Sequence, residues 1–203
     1  MSLNPQTVYD VYRKDVAHDM HPFSPFLRQN ARGNILEIGV RAGVSTAALL
    51  LGLEKNGGHL WSVDKTEKCG ELYAGHPQWT FIWSDSVDFP QVSRGFAPLI
   101  SEYINSSPFR PCATDFDIVL LDGAHHRMGI RSDLLNYGAL VKKGGILLAH
   151  DIFGTKDPTP EQIADDWPTE AVGEEFHFYT KVKCWPTLEL PGEFGMGVAI
   201  RIQ

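Results

Sequence analysis

Cysteine is scarce in this 203-residue chain: Cys69, Cys112 and Cys184 lie far apart and are odd in number. They form no CxxC pair, so neither a disulfide framework nor a cysteine zinc site is indicated. Positive charge is also short, with 18 Lys and Arg against 25 Asp and Glu and a formal net charge of −7. Without a long basic run or a basic segment interleaved with aromatics, nucleic-acid binding is not expected. No apolar run reaches membrane-spanning length, and the first residues lack a charged-then-apolar signal pattern. The expectation is therefore a cytoplasmic protein with no membrane partner. Three ligand motifs are missing as well. There is no GxGxxG, no P-loop and no GxSxG elbow, which counts against nicotinamide oxidoreductases, P-loop enzymes and serine hydrolases.

What the chain does contain is an alternation of apolar strands and helical segments. Hydrophobic residues make up 43%, enough for one globular domain with a sizeable core. The organising stretch is ILEIGVRAGVSTAALLLGL, Ile35 to Leu53. It reads as a buried strand, a turn holding Gly39 and Gly43, and a helix ended by Asn56-Gly57-Gly58. Before it, Thr7 to Ala17 has helical spacing with Asn4 as its cap and Pro5 beside it. HPFSPFLRQNARG then predicts a bend and a short helix. After it come strands at His59–Asp64, Trp79–Trp83, Asp117–Asp122 and Ile146–Ala149. A helix is expected to start at Cys69–Ala74, another within Phe89–Ile104, and an amphipathic one over Arg131–Val141 with its stop at Lys142 to Gly145. Thr159-Pro160 opens a further helix. Phe176–Trp185 and Phe194–Ile202 read as a late antiparallel β-pair joined through Pro186, Pro191 and Gly192. The alternation predicts an α/β fold with a mostly parallel sheet.

Four of these strands end in acids: Glu37, Asp64, Asp122 and Asp151. Ligands of open α/β sheets bind outside the carboxyl ends of the strands. A single aspartate there is often only a turn residue; four beside a glycine turn are harder to dismiss. A pyrophosphate would be repelled by this cluster, and the Gly39–Gly43 spacing is GxxxG. An acid-lined crevice instead suits S-adenosylmethionine, which carries a sulfonium and an ammonium. Asp64 would accept the ribose hydroxyls.

The segments LEIGVRAGVST, WSVD, SDS, IVLLDGAHH and KKGGILLAHDIF, in this order between Ile35 and Phe153, resemble class I S-adenosylmethionine-dependent methyltransferases. They are most similar to a bacterial small-molecule O-methyltransferase group that includes macrolide-sugar methyltransferases and cephalosporin-hydroxylase-like proteins. The resemblance implies a Rossmann-like three-layer sandwich whose seven-stranded, mostly parallel sheet has a reversed last strand. It implies one methyltransferase domain over 1–203, with an N-terminal helical extension (1–32), a cofactor core (33–153) and a lid with the β-pair (154–203). Carried over by position, Glu37, Gly39, Ala42, Gly43 and Ser45 surround the methionine part. Asp64 holds the ribose; Ser84, Asp85 and Ser86 fall at the adenine; Asp122 faces the transfer site.

In related O-methyltransferases an acid after the fourth strand and two residues after the fifth bind a divalent metal. The corresponding residues are Asp122, His150 and Asp151. Carboxylates favour Mg²⁺, while the histidine opens Mn²⁺, Fe²⁺ or Zn²⁺. The competing reading makes His150 a hydrogen-bonding residue and Asp151 a cap. His125 is the first candidate general base and His126 the second. The expected partner is a small-molecule methyl acceptor, with Trp83, Phe153, Trp167, Phe176, Phe178 and Trp185 available for an aromatic pocket. Phe153–Trp167 is expected to act as a lid, and the N-terminal segment or the terminal β-pair offers a surface for homo-oligomers. Two other functions use the same residues: a cofactor-binding module without transfer, and a metal-assisted hydrolase built on Asp122, His125, His150 and Asp151.

Overall fold

A computed structural model describes residues 2–14, 19–86, 115–164 and 167–203. Cys112, the expected helix within 89–104 and the end of the first expected helix lie outside them. The chain runs α1 (Pro5–Tyr12), α2 (Ser24–Asn30), β1 (Gly33–Ile38), α3 (Val44–Asn56), β2 (Gly58–Asp64) and β3 (Trp79–Trp83). It continues β4 (Phe116–Leu121), α4 (Arg127–Tyr137), β5 (Val141–His150), α5 (Pro160–Ala164), α6 (Ala171–Val182), β6 (Thr187–Leu190) and β7 (Met196–Ile200). The seven strands form one sheet in the order β3-β2-β1-β4-β5-β7-β6. β7 runs antiparallel to both neighbours, and the other described pairs are parallel. This is the expected Rossmann-like sheet with its last strand reversed.

Strand alternation divides the core between two faces. Ile35, Leu60, Ile118 and Leu148 look toward α1, α2 and α3 and pack with Leu27, Ala47 and Leu50. Leu36, Trp61, Val119 and Leu147 look the other way, toward Ile130 and Leu134 of α4 and Phe176 and Tyr179 of α6. α3 is buried from Val44 through Leu53, because α1 and α2 cover the side that the sheet does not. Truncating Leu50, which has no exposed surface, to Ala would cost roughly 2–5 kcal/mol.

The helix ends follow local chemistry. Asn4 caps α1 through Oδ1, which accepts from the Gln6 and Thr7 amides at 2.8 and 3.3 Å. Thr159 and Gln162 cap α5 reciprocally: each amide donates to the other's side chain, at 2.8 and 3.2 Å. α4 begins earlier than expected, at Arg127, because the His126 ring caps it, accepting from the Gly129 amide at 3.2 Å. The Lys142–Gly145 stretch lies inside β5, where the β4 pairing shifts register between Phe116 and Ile118.

The late segment differs from expectation. Phe176–Trp185 is not a strand; its residues to Val182 belong to α6. The aromatic content suggested β structure, but Val172, Phe176, Tyr179 and Thr180 are buried at helical spacing. The antiparallel partner of β7 is instead β6, four residues that are largely exposed on the sheet edge. Among the described residues no helix is long and apolar enough to cross a membrane.

Candidate active site

The strand order reverses between β1 and β4, and the crevice outside their carboxyl ends is where such sheets bind ligands. Gly39 closes β1 with φ +92°. A Cβ there would lie 2.0 Å from the Asp122 carbonyl oxygen, so the ends of β1 and β4 approach each other backbone to backbone. Gly43, at φ +73°, is the N-cap of α3, and its carbonyl accepts from the Tyr73 hydroxyl at 2.7 Å.

Asp64 at the end of β2 holds this turn. Its Oδ2 accepts from the amides of Val40 (2.8 Å) and Arg41 (3.1 Å), and Oδ1 accepts from Thr66 at 2.7 Å. A carboxylate offers about four acceptor sites. Asp64 is half-buried, so it retains acceptor capacity toward solvent. Ala42 is exposed at the tip of the turn.

Glu37 points elsewhere. It shares the face of Ile35, under α3, and has no exposed surface. Ser45 donates to Oε1 at 2.6 Å, while Thr46 and Ser62 donate to Oε2 at 2.8 and 2.6 Å. Glu37 therefore ties β1, β2 and the first turn of α3 together, and it consumes the Ser45 hydroxyl. Burial pushes its carboxyl up to about 7 against these three hydroxyls, with Asp122 adding to the rise. The ordinary value is 4.5, below that of the folded chain. Its contribution to stability is thus full below pH 4.5, erodes as pH rises, and is gone above about 7. The full span is on the order of 3 kcal/mol. We expect Glu37→Gln to remove this slope: between about pH 5 and 7.5 the wild-type melting temperature should fall relative to the variant's. Parallel melting curves would refute the assignment.

Ser84, Asp85 and Ser86 follow β3 at the crevice rim, with Asp85 exposed and the serines half-buried. The Ser84 hydroxyl donates to the Asp85 carbonyl at 3.0 Å, and the Tyr137 hydroxyl donates to the Ser86 carbonyl.

Asp122, His125, His150 and Asp151 converge on one point. His150 Nδ1 lies 3.1 Å from Asp122 Oδ1 and 3.1 Å from Asp151 Oδ1. His125 Nε2 lies 2.9 Å from Asp151 Oδ2 and 3.9 Å from Asp122 Oδ1. β5 and β4 deliver three of these residues directly; the turn before α4 delivers His125. Asp151 adopts φ +62°, which aims its side chain back at both rings. Burial disfavours the charged form of each histidine, but the adjacent carboxylates win. The neighbouring carboxylates of Asp122 and Asp151 push His125 up to about 11, and the charge of Asp122 leads in pushing His150 up to about 10. Burial opposes ionisation of Asp122 too, yet the two imidazoles hold it well below the ordinary carboxylate range. The four side chains form one cluster in which imidazole and carboxylate face each other.

The same atoms suit a divalent cation. Asp122, His125 and Asp151 place one ligand atom each within 4.8 Å of one another, and so do Asp19, His150 and Asp151. His150 of the expected trio lies within 3.1 Å of both Asp122 and Asp151, but as ligand sets the trio divides: Asp122 and Asp151 group with His125, and His150 and Asp151 group with Asp19. Asp19 was not legible in the sequence: it sits in the N-terminal segment, and nothing local marks it as facing β5. Oxygen and imidazole donors in this proportion fit Mn²⁺, Fe²⁺ or Zn²⁺ as well as Mg²⁺.

His126 caps α4, yet it also borders a cavity of about 260 Å³ beside His125. Lys156, Pro158, Trp167 and Thr169 line the other side. The segment after β5 is pinned there by a Thr155–Thr169 bridge and by Trp167 Nε1, which donates to Thr155 Oγ1 at 3.1 Å. Of the aromatics expected to form a pocket, Trp167 reaches this cavity, whereas Phe176 is buried in the core.

Fold and crevice together define a Rossmann-like protein with an acid-lined crevice at the switch between β1 and β4. A family profile described as "Methyltransferase domain" matches residues 36–152, more than half the chain. The chain belongs to that methyltransferase family. Among solved structures it is similar to a protein from Corynebacterium glutamicum at 15% identity and TM-score 0.66, over 97% of this chain and 90% of that one. It is also similar to the O-methyltransferase from Bacillus cereus, solved with SAH, at 17% identity and TM-score 0.59, over 98% and 90%. A third is the O-methyltransferase TomG from Streptomyces achromogenes, involved in tomaymycin synthesis and solved with SAM, at 15% identity and TM-score 0.61, over 100% and 91%. No curated protein matches the chain.

Proposed function

We propose that this protein transfers a methyl group from S-adenosylmethionine to a hydroxyl oxygen of a small molecule. The observation that carries this reading is the crevice between β1 and β4 in a chain of the methyltransferase family. Its charge fits the cofactor. Asp64 and Asp122 stand at the carboxyl ends of β2 and β4, and the neighbouring cation, Arg41, has an 88% exposed side chain reaching toward Asp19 at 4.0 Å. Acceptors of this kind suit a sulfonium and an ammonium and repel a pyrophosphate. The TomG and Bacillus cereus enzymes, solved with SAM and SAH, support the same choice.

The turn from Gly39 to Gly43 would cradle the methionine part with bare backbone, and Asp64 would spend its remaining acceptor capacity on the ribose. Glu37 and Ser45 act from below, by fixing that turn. Asp122, His150 and Asp151, with His125 and Asp19, would hold a divalent cation. When bound, that cation lowers the pKa of an acceptor hydroxyl and orients its oxygen. Where His125 is not a ligand of that cation, its imidazole is the group placed to take the acceptor's proton. The cavity beside His125 provides room for the acceptor. Methyl transfer is an in-line displacement, and positioning supplies much of its acceleration.

Calorimetric titration with SAH, with and without Mn²⁺, tests the reading; absence of SAH binding under every condition would overturn it. Asp64→Ala is expected to weaken SAH by about 100-fold, because both the ribose contact and the hold on the Val40 and Arg41 amides are lost. Unchanged affinity would remove Asp64 from the cofactor site.

A further inference from the structure

The cavity beside His125 carries two opposite charges that the fold leaves unused. Two short segments build its outer wall. The Thr155 amide donates to the Pro168 carbonyl at 2.8 Å, and the Glu170 amide donates to the Thr155 carbonyl at 3.1 Å. The resulting Thr155–Thr169 bridge is parallel, so Lys156 and Glu170, each one residue further on, follow it on adjacent backbones. The Thr169 hydroxyl donates to the His125 carbonyl at 2.6 Å and ties this wall to the histidine–carboxylate cluster. Lys156 and Glu170 both line the cavity, yet among the described residues neither side chain enters an ion pair or a hydrogen bond. Glu170 is the N-cap residue of α6, but its carboxylate makes no cap hydrogen bond. The other polar groups at the cavity are committed: Arg127 is held by Glu174 and Glu175, and His126 Nδ1 caps α4. Pro158 and the Trp167 indole supply an apolar wall. That indole is 42% exposed, fixed by Thr155 and by the edge contact with Phe194 at 5.8 Å between centroids.

We propose that the methyl acceptor is a hydroxylated aromatic α-amino acid, an inference that rests on the O-methyl-transfer reading. Its carboxylate meets Lys156, its ammonium meets Glu170, and its ring lies against the open side of Trp167. The two charges decide the class. A lone anion is attracted by Lys156 and repelled by Glu170 beside it; a lone cation meets the reverse. A zwitterion satisfies both. Size agrees. At about 260 Å³ the cavity falls below the roughly 300–1,000 Å³ of sites for drug-sized ligands, which suits a single-ring molecule. His125 marks the end of the cavity nearest Asp122 and Asp151. The ring hydroxyl belongs at that end. Its oxygen takes the methyl group from the sulfonium and loses its proton, leaving a methyl ether and SAH.

The test is calorimetry on the protein saturated with SAH, with dihydroxyphenylalanine, its decarboxylated amine and its deaminated acid as the probes. Wild type is expected to bind the amino acid about fivefold more tightly than either relative, the scale of one partly exposed charge pair. Lys156→Met should bring the amino acid to within about twofold of the amine while its lead over the acid remains. Glu170→Gln should do the converse. Both side chains reach solvent and hold no described partner, so both variants should melt with wild type. Equal wild-type affinities for the three probes, or a preference for the amine or the acid, would overturn the assignment. A folded Lys156→Met or Glu170→Gln protein that keeps both preferences would do the same. A wild type that binds SAH but none of the probes would sink this inference alone; one that binds no SAH would sink the cofactor reading and this one with it.

Discussion

Asp151→Asn is expected to lower Mn²⁺ affinity by at least about 100-fold while SAH affinity stays within about threefold. Asp151 is the residue common to both candidate ligand sets, Asp122–His125–Asp151 and Asp19–His150–Asp151. Its two oxygens are divided between the two rings, Oδ2 to His125 at 2.9 Å and Oδ1 to His150 at 3.1 Å. An amide in its place offers one acceptor and one NH₂ donor. Either orientation turns the donor toward a ring nitrogen that needs an acceptor, or toward a cation. The substitution keeps the shape of the side chain. It also keeps the backbone, because asparagine tolerates the left-handed conformation at φ +62° and the Asp151 amide still donates to the Gly195 carbonyl at 3.0 Å. The change is therefore one of charge and donor character alone. Electron paramagnetic resonance of free Mn²⁺ gives the metal affinity, and calorimetry gives the SAH affinity. Undiminished Mn²⁺ binding would remove this cluster as the metal site.

The strand ends were legible because their chemistry is local. An apolar run that stops at Asp or Glu beside glycine marks the carboxyl edge of a sheet, and Asp64, Asp122 and Asp151 all lie there. Direction was less legible. Glu37 sits two residues after Ile35, so strand alternation places both under α3; Glu37 accordingly meets Ser45, Thr46 and Ser62 rather than the open crevice. The α6 helix was masked by composition. Phe176, Phe178 and Tyr179 favour strands by type, but Phe178 is 65% exposed while Phe176 and Tyr179 are buried, the separation a helix produces. Asp19 was out of reach for a different reason: it acquires its meaning from His150, distant in sequence, and no short-range pattern encodes that pairing.

Local strength in the sequence signal tracks how many constraints one residue satisfies, and Gly39 satisfies the most. Gly39→Ala is expected to destabilise the fold by at least about 3 kcal/mol and to weaken SAH by more than about 100-fold. Two costs add. The backbone angle of +92° is strained for any residue with a Cβ. The Cβ itself would stand 2.0 Å from the Asp122 carbonyl oxygen and 2.6 Å from its carbon. Neither neighbour can yield freely. The Asp122 amide donates to the Ile38 carbonyl at 2.8 Å, and the Gly39 amide donates to the Val63 carbonyl at 2.9 Å, so both walls belong to the sheet. Relief requires β1 and β4 to separate at their carboxyl ends, where Asp122 must also reach His150. Gly57 separates the two costs: its φ is +77°, yet a Cβ there meets nothing within 4 Å. Gly57→Ala should therefore show backbone strain alone, about 1–3 kcal/mol, with SAH affinity intact. Denaturant unfolding of both variants, paired with SAH titration, reads the difference. A Gly39→Ala protein as stable and as tight-binding as Gly57→Ala would mean that β1 and β4 need not meet at bare backbone, and the crevice drawn between them would lose its floor.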